Sequence, residues 1–333
     1  MQKILITLPN SIAGTLIMKG FKQGFKSNSC YVLEKDLREL KKEDIERFKP
    51  DVILGYDYGF LFSDNEEIKR FIKDFSKNNS TKLVHYFADE PNGRYAYVKK
   101  PELFEEYLAY SKEYNVFSFV WDEDFVCDLP DSKFLPLAVN QKAYHTVFEY
   151  KEKDYDITFV GRPLTEKRQK ILAALIKTFG KKLSIFSYEN HFLQSIDDMK
   201  NKQFLSDEEL EVYKSAYKGF LKTEKDLANV YSNSKVNLNI TLQGKSGLNY
   251  RVFEVLASRG FLITDDLSDI HKNFVVSKEL EVYKDVADLI DKIKFYLKNP
   301  LIAEKIALLG FSNVVKSHSY TARVKKLLDE LKK

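Results

Sequence analysis

Ser246-Gly-Leu-Asn-Tyr-Arg-Val-Phe-Glu-Val-Leu-Ala-Ser-Arg-Gly-Phe-Leu-Ile-Thr264 is the stretch on which the fold of this chain turns. A polar loop containing Gly247 leads into a short helical pattern that carries Arg251 and Glu254. The pattern closes at Gly260 and passes at once into an apolar strand, Phe261 to Thr264. Arg251 and Glu254 stand three apart, so they share one face of the helix's first turn. A helix start concentrates free N–H groups and positive potential, which suits an anion. A carboxylate there can accept hydrogen bonds from a sugar diol. A phosphate-binding loop beside a diol-binding glutamate is the chemistry of a nucleotide-sugar pocket, with Ser246, Gly247 and Asn249 as supporting donors. Each residue also has a plainer use: Glu254 as a surface acid favoured by the helix dipole, Arg251 as a surface charge or ion-pair partner.

Working outward, short apolar runs alternate with helical patterns. Lys3 to Leu8, Cys30 to Leu33, Asp51 to Gly55, Lys82 to Phe87, Val116 to Trp121 and Lys133 to Leu137 read as strands of a first domain. After a charged stretch at 148–154, the alternation restarts with Ile157 to Val160, Lys182 to Phe186, Val236 to Ile240 and the strand at Phe261. Strands separated by helices of ten to fifteen residues argue for βαβ units and parallel sheets. The expected class is α/β, with Rossmann-like domains at 1–145 and 146–318 and a last helix at 319–333. The polar segment from Tyr188 to Tyr217 fits neither repeat and reads as an insertion or surface excursion.

A chain of 333 residues suits two domains, and 44% hydrophobic residues can build two cores. With 53 basic against 49 acidic residues there is no charge excess to coat a nucleic acid. Two cysteines, Cys30 and Cys127, supply neither a disulfide framework nor a zinc spacing. The N-terminal apolar run is too short for a signal peptide, and no segment reaches the ~20 apolar residues of a membrane span. A cytoplasmic protein is expected.

Three further constellations lie at strand ends. Phe159-Val-Gly-Arg-Pro-Leu-Thr-Glu-Lys167 ends a strand in Gly161, where backbone can approach a ligand closely. Arg162, Lys167 and the following Arg168 are cations able to offset charge on a departing diphosphate, or else ordinary surface charges. Pro9 to Leu16 contains only Gly14 before its helix and is no dinucleotide fingerprint. His85-Tyr-Phe-Ala-Asp-Glu-Pro91 sets two acids at the carboxyl end of a strand, where ligands gather in open sheets. Asp89 or Glu90 can take a proton from a hydroxyl, or can simply make a turn before Pro91. His85, inside the strand pattern, is a cleft residue or a core histidine.

These stretches in this order resemble the GT-B glycosyltransferases, in particular the CgeB-like (spore-maturation-type) branch. The pattern Arg-x-Phe-Glu-x-x-Ala-x-Gly-x-x-x-x-Thr is met by Arg251, Phe253, Glu254, Ala257 and Thr264, with Gly260 displaced by one residue. Asp156 to Arg162, Val230 to Asn239, Tyr283 to Leu289 and His318 to Arg323 extend the likeness through the C-terminal half. The resemblance implies two Rossmann-like domains facing across a cleft, with the last helix crossing back onto the first domain. It also implies Gly14 and His85 near the acceptor, and Gly161, Arg162, Lys167 or Arg168 on the donor diphosphate. Glu254 would lie on the donor ribose, and no metal or other cofactor would be needed. Ser246 stands where the first glutamate of a retaining enzyme's Glu-x7-Glu pair would fall, which argues for inversion, with Asp89 as base. The expected activity is transfer of a sugar from a nucleoside-diphosphate sugar to an acceptor (glycan, protein or lipid-linked). The rival expectation is a non-catalytic sugar-nucleotide-binding or assembly protein on the same scaffold.

Overall fold

A computed structural model describes residues 1–91, 101–144, 152–242 and 246–333. The chain forms two compact units. Unit 1 comprises Met1–Asn140, Gln243–Leu248 and His318–Lys333; unit 2 comprises Gln141–Leu242 and Asn249–Ser317. The first boundary falls five residues before the expected one, and the short return of 243–248 to unit 1 was not anticipated. The expected linker at 148–154 lies outside the described residues as far as 151.

Unit 1 is built on β1 (Lys3–Leu8), β2 (Tyr31–Asp36), β3 (Val52–Tyr56), β4 (Lys82–Phe87), β5 (Phe117–Val120) and β6 (Lys133–Phe134). All pair parallel in the order β2-β1-β3-β4-β5-β6. Ile4-Leu5-Ile6, Val52-Ile53-Leu54 and Leu83-Val84 are continuous apolar runs and all buried, as strands covered on both faces require. β6 stops before Pro136, which has no N–H to give a ladder. The last helix, Tyr320–Leu331, seats on the helix Ile12–Ser27. Their approach depends on bare glycines: a Cβ at Gly20 would stand 2.1 Å from the Tyr320 ring, and one at Gly24 would stand 2.5 Å from the Tyr320 carbonyl.

Unit 2 carries β7 (Tyr155–Val160), β8 (Leu183–Phe186), β9 (Ser234–Asn239), β10 (Leu262–Asp265) and β11 (Glu281–Tyr283), parallel in the order β11-β10-β9-β7-β8. The segment expected to be a surface excursion is instead part of the core. It forms the helices Glu189–Asn201 and Asp207–Ser215, which bury Phe192, Met199, Leu210 and Tyr213, and Tyr217 bridges Ile185 of β8. Its apolar residues keep helical spacing, but the intervening charges hide the pattern. Gly260 does not close the preceding helix by a left-handed turn either. Arg259 takes that conformation, with φ 58°, and Gly260 is there for space: a Cβ would meet Asn237 Nδ2 at 2.8 Å and the Tyr231 carbonyl at 2.9 Å.

Each sheet reverses its winding beside its first strand, between β1 and β3 in unit 1 and between β7 and β9 in unit 2. The crevice outside the carboxyl ends of such a pair is where open α/β sheets hold ligands.

Candidate functional site

In unit 2 the loop after β7 starts at Gly161, whose φ of 153° disfavours any side chain. A Cβ there would lie 3.5 Å from Arg168 Nη1 and 3.5 Å from Arg251 Nη1, so two guanidiniums from different helices meet over bare backbone. Arg168, in the helix Glu166–Phe179, is buried. Its Nε and Nη2 donate to the Ile240 carbonyl at 2.9 and 2.6 Å, and Nη1 donates to the Arg162 carbonyl at 2.9 Å. These bonds staple the loop after β7 to the end of β9. Arg168, expected on a diphosphate, thus acts on two backbone carbonyls that shape the site.

Arg251 and Glu254 lie in the helix Tyr250–Ala257, and Arg251 Nε stands 3.4 Å from Glu254 Oε2. Burial works against the Arg251 charge, but the Tyr231 hydroxyl and the Glu254 carboxylate more than offset it and raise its pKa. Glu254 is only 4% exposed. Its Oε1 accepts from the Tyr144 hydroxyl at 2.5 Å, and its Oε2 accepts from Tyr231 at 3.3 Å. Burial, with the carboxylate adding to it, keeps both tyrosine hydroxyls protonated far above their ordinary range, although Arg251 opposes this at Tyr231. The carboxyl group is therefore oriented and enclosed.

Asn249 precedes that helix and donates through Nδ2 to Asn239 Oδ1 at 2.9 Å; Asn239 in turn donates to Thr264 Oγ1 at 2.9 Å. The Oδ1 of Asn249 is enclosed without a hydrogen-bond partner. Lys167, half exposed, ion-pairs with Asp265, which also accepts the Thr241 amide at 2.6 Å and the Tyr283 hydroxyl at 3.0 Å. Beyond β8, Tyr188 and Phe220 stack at 4.1 Å with 22° between their planes, and His191 meets Tyr188 edge-on. Burial and then the charge of Arg162 lower the His191 pKa. Gly161, Arg162, Arg168, Arg251, Glu254 and Asn249 therefore all belong to unit 2.

Ser246 and Gly247 do not join them. Both fall in unit 1, where Ser246 Oγ and the Gly247 amide donate to the buried Asp122 carboxylate at 2.9 and 3.0 Å. A Cβ at Gly247 would stand 2.8 Å from Asp122 Cγ, so close approach to this acid, not to a phosphate, accounts for the glycine. Gly14 is likewise packed: its amide donates to Ser11 Oγ at 3.1 Å, and a Cβ would meet Pro9 Cγ at 2.6 Å and the Tyr56 ring at 3.1 Å.

His85 takes the core alternative and lines no open surface. It is 1% exposed among Phe60, Tyr107 and Tyr110, and Gly59 at φ 59° must lack a side chain because a Cβ would sit 2.5 Å from its Cε1. Burial lowers the His85 pKa to about 3, so the ring is neutral. Asp89 is partly exposed just past β4, and Glu90 beside it is buried. Sequence reasoning missed their neighbour Asp57, which directly follows β3 at φ 48° and accepts the Ala88 amide at 2.9 Å. Burial and then the charge of Asp89 push the Asp57 pKa well above the carboxylate range. Tyr58 donates to the Pro91 carbonyl, so residues 57 and 58 hold the acidic turn at both ends. Tyr144, Tyr231 and Asp122 were missed as well. The one available signal was a polar group directly after an apolar strand, which Asp57 and Asp122 share. Among the described residues no group of three His, Cys, Asp or Glu side chains is placed to hold a metal.

Two Rossmann-like, parallel-sheet α/β domains of this kind define the GT-B fold class. Similar solved structures bear that out. HepE of Anabaena, in complex with UDP-glucose, is 8% identical with a TM-score of 0.70 over 100% of both chains. A sucrose-phosphate synthase from Thermosynechococcus elongatus is 10% identical with a TM-score of 0.66 over 100% of this chain and 98% of that one. A glycosyltransferase from Rickettsia africae is 12% identical with a TM-score of 0.65 over 98% and 97%. In sequence, residues 168–329 match the family described as glycosyl transferase-like, so that stretch, which includes Arg168, Arg251 and Glu254, is glycosyltransferase-like. No curated protein matches the chain significantly.

Proposed function

We propose that this protein is a metal-independent, CgeB-like glycosyltransferase that moves a hexosyl group from a nucleoside-diphosphate sugar to an acceptor hydroxyl. The observation that carries this reading is the meeting of Arg168 and Arg251 over Gly161, with the oriented Glu254 carboxylate on the Arg251 helix. In this reading Arg162 and Arg251 hold the diphosphate, Arg168 fixes the loop they sit on, and Glu254 takes the ribose hydroxyls when Tyr144 releases Oε1. The Tyr188–Phe220 stack offers a flat face to the base. Two cations on the diphosphate can do the electrostatic work of a metal ion. The acceptor oxygen bonds to the anomeric carbon as its proton passes to Asp89. The bond from that carbon to the phosphate oxygen breaks, and the nucleoside diphosphate leaves with the electron pair. A single in-line displacement inverts the anomeric centre.

The HepE complexes with UDP and UDP-glucose make these the first probes. Isothermal titration should show UDP binding that persists in EDTA. Arg162→Ala and Arg251→Ala should each weaken UDP while leaving uridine affinity unchanged. Equal losses for UDP and uridine would mean that the arginines act through folding. Slow hydrolysis of a sugar nucleotide separates an enzyme from a non-catalytic binder. Absence of binding by a panel of nucleoside-diphosphate sugars would sink the proposal.

A further inference from the structure

The helix Pro300–Ser317 of unit 2 is apolar on both of its sides. One side is seated: Ala303, Ile306, Ala307 and Val314 are buried, and Gly310 packs so closely that a Cβ would lie 2.1 Å from the Glu279 carbonyl. The other side is open. Leu301 is 71% exposed, and Ile302, Leu308, Leu309 and Val315 are 37–45% exposed. Together with Lys305, Ser312 and Lys316 they are all the exposed residues between Leu301 and Lys316. At 3.6 residues per turn they fall within an arc of about 140°. On the preceding helix Val286–Lys298, Phe295 is 48% exposed near the C-terminal end, and Lys294 and Lys298 are exposed as well.

We infer that this arc is a docking surface for an anionic phospholipid bilayer. Within the arc Val315, Leu308 and Leu301 form one apolar stripe and Leu309 and Ile302 another, on either side of Ser312, Lys305 and Lys316. Exposed apolar side chains in such numbers mark a contact surface, and the charges between them select the partner. The arc carries lysines and no acid; the helix's one acid, Glu304, lies outside it. On the neighbouring helix Asp291, paired with Lys294 at 3.8 Å, is the acid nearest in sequence. A second copy of the chain, related by a two-fold axis, would set these lysines against themselves with no carboxylate to meet them. Lipid phosphates meet them, while the leucines enter the acyl boundary as in helices that lie in a membrane surface. Contact would be peripheral, since among the described residues no helix is long and apolar enough to cross a membrane.

The test is co-sedimentation of the full chain with vesicles of phosphatidylcholine alone or mixed with phosphatidylglycerol. Binding is expected only to the mixed vesicles, weakening with added salt. Leu301→Glu with Leu308→Glu, or Lys305→Glu with Lys316→Glu, should each lower it by ~10-fold or more. These side chains are exposed, so UDP binding should be unchanged, which separates this inference from the donor site. Failure to bind mixed vesicles would overturn it, as would equal binding by the variants. A dimer in sedimentation equilibrium that Leu308→Glu dissociates, without vesicle binding, would overturn it in favour of a second copy.

Discussion

Units 1 and 2 share a topology and fill their switch points with opposite chemistry. In unit 2, bare backbone at Gly161 meets two guanidiniums beside a carboxylate held by Tyr144 and Tyr231. In unit 1, Gly14 of the first helix packs against Tyr56, the carboxyl groups of Asp57 and Asp89 lie near that tyrosine, and the neutral imidazole of His85 is buried in the core. Strand order sets where a ligand can sit. The residues one or two places past each strand decide whether that place is lined by cations or by carboxyl groups. The buried groups differ as well: unit 2 pairs the Glu254 carboxylate with Arg251, whereas unit 1, besides acids such as Asp122, buries two histidines that burial keeps neutral.

The largest effect expected from this division is on chemistry. If unit 1 supplies the base, Asp89→Asn should slow transfer of labelled sugar by ~10²–10⁴-fold and leave UDP affinity intact. Near-normal transfer would move the base elsewhere. The next effect is on stability. Burial lowers the pKa of His85 to about 3 and of His318 to about 4, both in unit 1. A lowered folded-state pKa means that the unfolded chain binds the proton first. The contribution is therefore complete above the unfolded value near 6.5 and falls away as the pH drops toward the folded values. At pH 5 each histidine should cost unit 1 roughly 2 kcal/mol relative to pH 8. The single tryptophan, Trp121, is buried in unit 1, so urea unfolding followed by its fluorescence isolates this unit. An unchanged midpoint between the two pH values would refute the assignment.

In unit 2, Glu254→Gln should weaken UDP by about 1–3 kcal/mol, the scale of a hydrogen bond to a charged group, with the fold intact. Unchanged affinity would remove Glu254 from the site. The smallest effect concerns its tyrosine. Because Tyr144 occupies the Oε1 position proposed for a ribose hydroxyl, Tyr144→Phe should tighten UDP by about 1 kcal/mol. Weaker binding in this variant would instead make Tyr144 the residue that orients the carboxylate.

Much of this architecture was legible in the chain. Buried parallel strands need uninterrupted apolar runs, and runs such as Ile4-Leu5-Ile6 can hardly be anything else. Sequence also determined that Gly161, Arg251 and Glu254 follow or precede strands of one sheet, because strand, loop and helix are local. It could not show that Arg168 turns inward to two carbonyls, that Ser246 and Gly247 serve Asp122, or that Asp57 lies by Asp89. Apart from the short Arg168–Arg162 bond, those pairings join residues separated by tens to more than a hundred positions, and no periodicity links them. Nor could it tell that Glu189 to Ser215 belongs in the core, since charges on the outer faces masked the helical spacing of Phe192, Met199 and Tyr213. Composition and period determine which segments become strands and helices. Only packing decides which polar groups are used up inside the protein and which are left for a ligand, because a buried donor or acceptor must find a partner wherever the fold brings one.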